Sequence, residues 1–414
     1  MKEVIKTNLN NPVQLEQLYR NDKLTFKKDF NLIYPDIQEM ISAQIWNERL
    51  NFEKDDISWG SGRELIFVIV ACLMAGLVAQ FPDFFAINPE YFYPRNSAFV
   101  VFPFLTAYFA WKQKLPIQNV VITSLIILAS VIYINFLPGN NKNDTLILAC
   151  IHLPLFLWAI LGLTYAGGSL KNYQGRLNFL RYNGDVVVMT TLILIAGGGL
   201  TVITLGLFEL IGLKIGEFYF RHIAIWGLAA APMVGTYLVQ TNPQLVNKVS
   251  PVIAKVFTPL VFVTLVIYLI AVIYTGKDPY TNREFLILFN LLLIGVMAII
   301  LFSIAGTAKN SASKFVTLLL AGLSIVTILV NGIALSAILF RISEWGITPN
   351  RLAVLGGNIL ILINLLLVTY RLIKTVKDRN QIEQVERSIA FFLPVYGLWA
   401  VLVTFLFPIL FSFR

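Results

Sequence analysis

The feature that most limits what this chain can fold into is a series of apolar blocks, nearly all 17 to 26 residues long, separated by short polar stretches. About 20 apolar residues wound as an α-helix cross the ~30 Å hydrocarbon layer of a bilayer. No water reaches backbone amides there, so a crossing segment must satisfy its own N–H and C=O groups; only helices and closed barrels do so. A barrel needs polar positions alternating with apolar ones along each strand. The run at 256–274, VFTPLVFVTLVIYLIAVIY, has no such alternation. Hydrophobic residues make up 57% of the 414 and charged residues only 13%, about half the charged share of a soluble domain. The expected fold is therefore all-α: a polytopic transmembrane helical bundle of about eleven spans over residues 64–414, preceded by a cytoplasmic helical tail over residues 1–63.

The spans are predicted near 65–81, 98–111, 117–136, 145–165, 186–208, 223–239, 256–274, 285–304, 315–340, 352–370 and 389–412. The second is the weakest. Its apolar part is short, Pro103 interrupts it, and Arg95 would have to snorkel to the interface, so a re-entrant segment is the alternative. The tail holds nine Lys/Arg residues and no apolar core of a signal peptide, which leaves the first span as an uncleaved insertion signal. Within the tail, Asn11-Pro12 reads as a helix start. Pro35 is expected to open a second helix with Ile37, Met40, Ile41 and Ile45 along one face. Such a face suits packing on the cytoplasmic mouth of the bundle or on the membrane surface, or else a protein partner.

Counting basic residues over the short loops with the tail inside places 23 of the 32 Lys/Arg on the inner side and nine on the outer. The excess of inner positive charge predicts N-terminus inside and C-terminus outside. The net charge of +9 belongs to these loops and to membrane lipids as partners. Nucleic acid is not an expected partner, because no concentrated basic face with interleaved aromatics is present. The chain has two cysteines, Cys72 and Cys150, and two histidines, His152 and His222. They lie far apart with no metal-ligand spacing, so packing is the expected role. No phosphate-binding loop and no HExxH motif occurs. No loop exceeds about 20 residues, so no soluble catalytic domain fits between spans. No cofactor and no metal is expected.

Unusual polar residues gather in the second half. The outer loop over 275–285 carries Asp278, Arg283 and Glu284; the next carries Arg341, Glu344 and Arg351. Gly346 and Pro349 fit a tight turn there, with Thr348 capping the following helix. Beneath these loops Asn290, Asn331 and Asn358 lie at similar depth in three successive spans, roughly 9 to 15 Å from the outer surface at ~1.5 Å per residue. An amide facing lipid is costly, so each is expected to face protein or water. The group reads either as ion pairs and amides that hold spans eight to ten together, or as a polar pocket and mouth open to the outside. Arginine suits bidentate contact with phosphate or carboxylate. Gly197-Gly198-Gly199 and Gly356-Gly357 lie inside spans and allow either close helix approach or a helix break.

Two segments, PYTxREF at 279–285 and RxSExGITPNRLAVL at 341–355, resemble a family of uncharacterised bacterial multi-pass membrane proteins classed as a domain of unknown function. The resemblance covers roughly residues 60–410 and is most specific at Arg341, Glu344, Gly346, Thr348, Pro349, Asn350 and Arg351. It implies a bacterial cytoplasmic (inner) membrane and carries no catalytic role. The expected function is transport, as a transporter or channel for a small solute or lipid, with Asp278, Arg283, Glu284, Asn290, Asn331, Arg341, Glu344, Arg351 and Asn358 forming the outward pocket. A membrane enzyme whose outer charged residues contact a lipid-linked substrate ranks second, and a non-catalytic scaffold working through its tail third.

Overall fold

The computed structural model describes residues 2–52, 60–138, 143–210, 213–243, most of 258–270, 280, 283–305, 314–377 and 382–413. The chain divides into two units, Met1–Ser58 and Trp59–Arg414. Among the described residues every regular element is helical.

The first unit holds α1 (Lys2–Thr7), α2 (Pro12–Asn21), α3 (Lys23–Ile37) and α4 (Ile41–Phe52). Asn11 accepts a hydrogen bond from the Gln14 N–H at 3.2 Å, and Pro12 takes the first helical position, where its missing N–H costs nothing. Asp22 caps α3 through the Thr25 N–H at 3.0 Å. Ile5, Leu15, Phe26, Phe30 and Trp46 form a core internal to these four helices. Glu16 ties α2 to α4 by ion pairs to Arg20 at 2.8 Å and Arg49 at 2.7 Å. The Arg49 guanidinium also lies over the rings of Tyr19 and Trp46.

Two expectations for this unit are corrected. Pro35 does not open a helix; it sits inside α3, two residues before its end. There its lost N–H removes a single bond from a turn that stops anyway. The face predicted through Ile37, Met40, Ile41 and Ile45 is broken by a turn at 38–40. Ile37 is buried, whereas Met40, Ile41 and Ile45 are exposed, and Ala43 and Trp46 fill the core instead.

The second unit contains α5 (Gly62–Ala79), α6 (Phe81–Phe84), α7 (Pro89–Lys112), α8 (Ile117–Phe136), α9 (Asp144–Tyr165), α10 (Tyr173–Leu210) and α11 (Gly216–Tyr219), which passes through a π-helical turn at Phe220–Ala224 into α12 (Ile225–Thr241). Then come α13 (Arg283–Ala305), α14 (Lys314–Trp345), α15 (Pro349–Lys377) and α16 (Ile382–Val401), the last continuing through a second π-helical turn at Leu402–Leu406 into α17 (Phe407–Leu410). Among the described residues, eight helical stretches are long and apolar enough to cross a membrane: Gly62–Ala79, Ile117–Phe136, Asp144–Tyr165, Tyr173–Gly206, Gly216–Thr241, Phe315–Trp345, Pro349–Val376 and Glu383–Leu410. The chain is an α-helical membrane protein on this ground. Helices α7 and α13 stand where the second and eighth spans are expected. The seventh expected span, 256–274, falls about half outside the described residues.

The weakest expected span is an unbroken helix of 24 residues that contains Pro94 and Pro103. Arg95 does not snorkel: it is 1% exposed, stacked 4.1 Å from the Tyr91 ring centroid and enclosed by protein. Gly197-Gly198-Gly199 neither breaks α10 nor admits a close neighbour among the described residues. Gly356 does admit one. A Cβ built there would lie 2.1 Å from the Trp399 indole, so α15 and α16 approach through this missing side chain. Gly76 receives Trp226 of α12 in the same way. Elsewhere, a mostly buried ion pair between Arg181 and Glu386 at 3.0 Å joins α10 to α16. Arg221 pairs with Asp83 at 2.6 Å and holds that carboxyl below its usual range.

The tail generates a pH test. Hydrogen bonds from Arg20 and Arg49 lower the Glu16 carboxyl below its ordinary value. A depressed folded-state value stabilises above the unfolded value and is lost as pH falls through the folded one. A fragment of residues 1–58 is expected to be helical by circular dichroism and to melt at lower temperature as pH drops from about 5 toward 3, where carboxylates protonate. Glu16→Gln is expected to remove part of that slope. A slope unchanged by the substitution would show that Glu16 is not what titrates.

Candidate functional site

The second unit opens a cleft of about 1240 Å³ between α5, α7 and α8, larger than the usual ~300–1,000 Å³ of a ligand pocket. Its origin lies in how α8 is attached. Of the residues of α8 only Ser130 and Ile134 are buried. Its flank of Val121, Leu125, Leu128 and Ile132 is exposed, as suits a helix facing lipid. At one end α8 is tied to α7 by the short turn 113–116. There Lys114 adopts φ +50° and the Leu115 N–H returns to the Ala110 carbonyl at 3.0 Å. At the other end it is fixed by hydrogen bonds. Between the two anchors α7 and α8 stand apart.

The amide end is built by Asn96 and Asn135, which exchange two side-chain hydrogen bonds at 2.9 and 2.8 Å. The Tyr91 hydroxyl donates to the Asn135 carbonyl at 2.7 Å, and the Tyr133 hydroxyl to the Phe405 carbonyl at 3.0 Å. Paired in this way the amides meet their hydrogen-bonding needs inside the membrane.

The charged end carries Arg63, Glu64, Lys112 and Lys114. Glu64 is placed by the first turn of α5, which Ser61 caps through the Glu64 N–H at 3.2 Å. Its carboxylate accepts from the Tyr108 hydroxyl at 2.5 Å and from Lys112 Nζ at 2.9 Å, and Lys112 also contacts the Tyr108 oxygen at 3.0 Å. Tyr108 is fully buried, and next to it lies an aromatic cluster of Phe109, Tyr165, Phe179 and Tyr182. Half-exposed Trp111 stacks on Phe67 at 5.4 Å. Such aromatic residues favour the membrane–water interface and set the level of this end.

Between the ends the lining is mainly apolar, with Phe99, Phe104, Ala107, Ile127 and Val131 among its residues. The exceptions are three hydroxyls, Thr106, Thr123 and Ser124. The Thr106 oxygen is buried and has no hydrogen-bond partner. From Asn96 to Lys112 the cleft follows α7 over sixteen residues, ~24 Å at 1.5 Å per residue. A long apolar slot with a charged end and a polar end can receive an amphiphile.

The residues expected to form an outward pocket are placed differently. Asp278 lies outside the described residues, and for Arg283 and Glu284 only the backbone of the first turn of α13 is described. Asn331 and Asn358 come together: the Asn331 amide donates to the Asn358 backbone carbonyl at 3.2 Å, and both residues are buried between α14 and α15. Asn331 Oδ1, Asn358 Nδ2 and Asn290 Oδ1 of α13 are each buried without a hydrogen-bond partner among the described residues. Arg341 donates to the Tyr280 carbonyl at 2.8 Å. Arg351 donates to the Trp345 and Gly346 carbonyls at 2.8 and 2.7 Å. Both guanidinium groups lie 5.5–5.6 Å from the Trp345 ring centroid. Arg351 thus fastens the α14–α15 hairpin, where Gly346 has φ +76° and Thr348 accepts from the Arg351 N–H at 3.3 Å, while Arg341 ties the end of α14 to Tyr280. Glu344 is exposed on the last turn of α14.

Sequence reasoning passed over the cleft because Arg95 and the prolines made α7 look like a poor span. The signal was available in Asn96 and Asn135, two amides at the same end of antiparallel neighbours, and in Glu64 facing Lys112 at the other. His152 bonds the Leu148 carbonyl at 2.9 Å and His222 packs on Phe218, as packing residues do. Comparison with protein-family models, curated proteins and solved structures finds no match to this chain.

Proposed function

We propose that this chain is a lipid-handling transporter, which receives a membrane lipid or similar amphiphile sideways from the bilayer into the cleft between α5, α7 and α8. The observation that carries this reading is the order of the lining: charged residues at one end, hydroxyls inside it, an apolar slot, then paired amides. Lateral access follows from α8, whose outer face is exposed apolar surface suited to lipid. Filling the slot tests the reading. Ala107 lines the cleft and is exposed, so Ala107→Trp adds an indole without displacing core. Purified in mild detergent, the wild-type chain is expected to retain lipid in native mass spectra, and Ala107→Trp about tenfold less at the same folded yield, the equivalent of ~1.4 kcal/mol. Equal retention would remove the cleft from the account.

A second reading keeps the site in α13, α14 and α15 as a polar path for a small solute. It is favoured by the unpartnered amide atoms of Asn290, Asn331 and Asn358, since a buried amide without a partner costs free energy unless water or solute meets it. On this reading Asn331→Leu is expected to lower uptake while leaving thermal stability within ~0.5 kcal/mol. A loss of about 1 kcal/mol with unchanged uptake would instead make the amides interhelical glue.

We further infer eleven spans in a bacterial inner membrane, with the N-terminus cytoplasmic and the C-terminus outside. The long helices α7 and α13 support the count, and the 23-to-9 distribution of basic residues supports the direction. Ser412→Cys, labelled with an impermeant thiol reagent on intact cells, is expected to react from outside. Labelling only after the cells are opened would reverse the topology.

A further inference from the structure

We propose that the amphiphile taken by the α5–α7–α8 cleft is an anionic glycerophospholipid, its phosphate held between Arg63 and Lys114. The proposal rests on the reading of the cleft as a lipid site and adds the chemical class of the ligand.

The charge balance at the mouth comes first. Four charged side chains line the cleft. Glu64 and Lys112 neutralise each other at 2.9 Å, with the Tyr108 hydroxyl completing the carboxylate's contacts. Arg63 and Lys114 are exposed, and neither side chain has a hydrogen bond or ion pair among the described residues. Two positive charges therefore stand uncompensated at the interface end of an apolar slot. A zwitterionic lipid brings its own cation to that position and meets repulsion. An anionic headgroup brings only the phosphate, which a guanidinium and an ammonium both bind well.

The backbone at the mouth points the same way. Lys114 occupies the left-handed region, φ +50°, immediately after α7. Glycine is the residue for which that conformation costs nothing, yet here the position carries a cation. In the same turn α8 begins at Ile117 after Pro116, with no side chain capping its first N–H groups. Those groups and the positive end of the helix dipole favour an anion at the same place.

The order of groups below the mouth matches a diacyl lipid. Thr106 lies six residues in from Lys112, and Thr123 and Ser124 six and seven in from Ile117, which puts all three hydroxyls ~9–10 Å along antiparallel helices. They are donors for ester oxygens, and the Thr106 hydroxyl is one that finds no partner among the described residues. From Thr106 to Asn96 is ten further residues, ~15 Å, half of the ~30 Å hydrocarbon layer and so the depth of one leaflet's chains.

The test uses the full chain in nanodiscs holding equal amounts of phosphatidylglycerol and phosphatidylcholine with identical acyl chains, with retained lipid identified by native mass spectrometry. The wild-type chain is expected to keep phosphatidylglycerol over phosphatidylcholine by about tenfold. The double variant Arg63→Gln, Lys114→Gln is expected to keep both lipids equally, and Arg63→Lys, Lys114→Arg to restore the preference. Ala107→Trp is expected to lose both lipids, which separates the cleft from general attraction of anionic lipid to other basic loops. Equal retention by the wild-type chain, with loss of both lipids in Ala107→Trp, would overturn the anionic assignment and leave the cleft as a lipid site. A preference that survives in the double variant would overturn the assignment to Arg63 and Lys114. Retention unaffected by Ala107→Trp would overturn both the assignment and the cleft.

Discussion

A polar group carried into hydrocarbon must find its partner inside the protein, and the form of this chain follows from that requirement. For the backbone the answer is helix throughout the described membrane unit. For side chains the answer is local pairing, and the pairs decide which helices touch. Asn96 and Asn135 satisfy each other and clamp one end of α7 to α8. Glu64, Tyr108 and Lys112 satisfy each other and bind α5 to the far end of α7. Neither set reaches the middle of α8, whose side chains are mostly exposed. The cleft is what remains between two polar fastenings.

The packing on the other side of the unit differs. Trp399 lies against Gly356, and Asn331 meets the Asn358 carbonyl, so α14, α15 and α16 close through missing side chains and an amide contact. A tryptophan seated on glycine brings helix axes near each other and leaves no slot for a chain-like ligand. Helices α7 and α8 have no such glycine facing an indole; both helices lack glycine altogether. Close packing and looser packing thus occupy different parts of one bundle, and the large cleft lies in the looser part.

What the sequence disclosed and what it hid divide along physical lines. Apolar length is a property of each segment taken alone, so the helical spans were legible before any neighbour was known. Caps are also local: Asn11-Pro12 and Thr348-Pro349 announce helix starts, and both form. Pairing across helices is not local. Arg341 and Arg351 read as head-group contacts because arginine suits phosphate, yet both bond backbone carbonyls, Arg341 that of the distant Tyr280 and Arg351 those of its own hairpin. Arg95 read as a defect in a span, yet protein encloses it. Glu64 lay at a span's edge and drew no notice, because its partners are 44 and 48 residues away.

Those distant pairs bear on what the cleft can discriminate. If Glu64 were unpaired, its charge would offset one of the cations at the mouth and an anionic lipid would gain little there. Lys112 cancels that charge within the rim and the Tyr108 hydroxyl completes the carboxylate's hydrogen bonds, which leaves Arg63 and Lys114 as the lining cations without an ion pair among the described residues. Tyr108 can do this because it is fully buried behind the Phe109 and Tyr182 rings, which exclude water and keep its hydroxyl on the carboxylate. The aromatic core under α7 therefore does more than fill space: by burying Tyr108 it holds one hydroxyl on the Glu64 carboxylate at the charged end of the cleft.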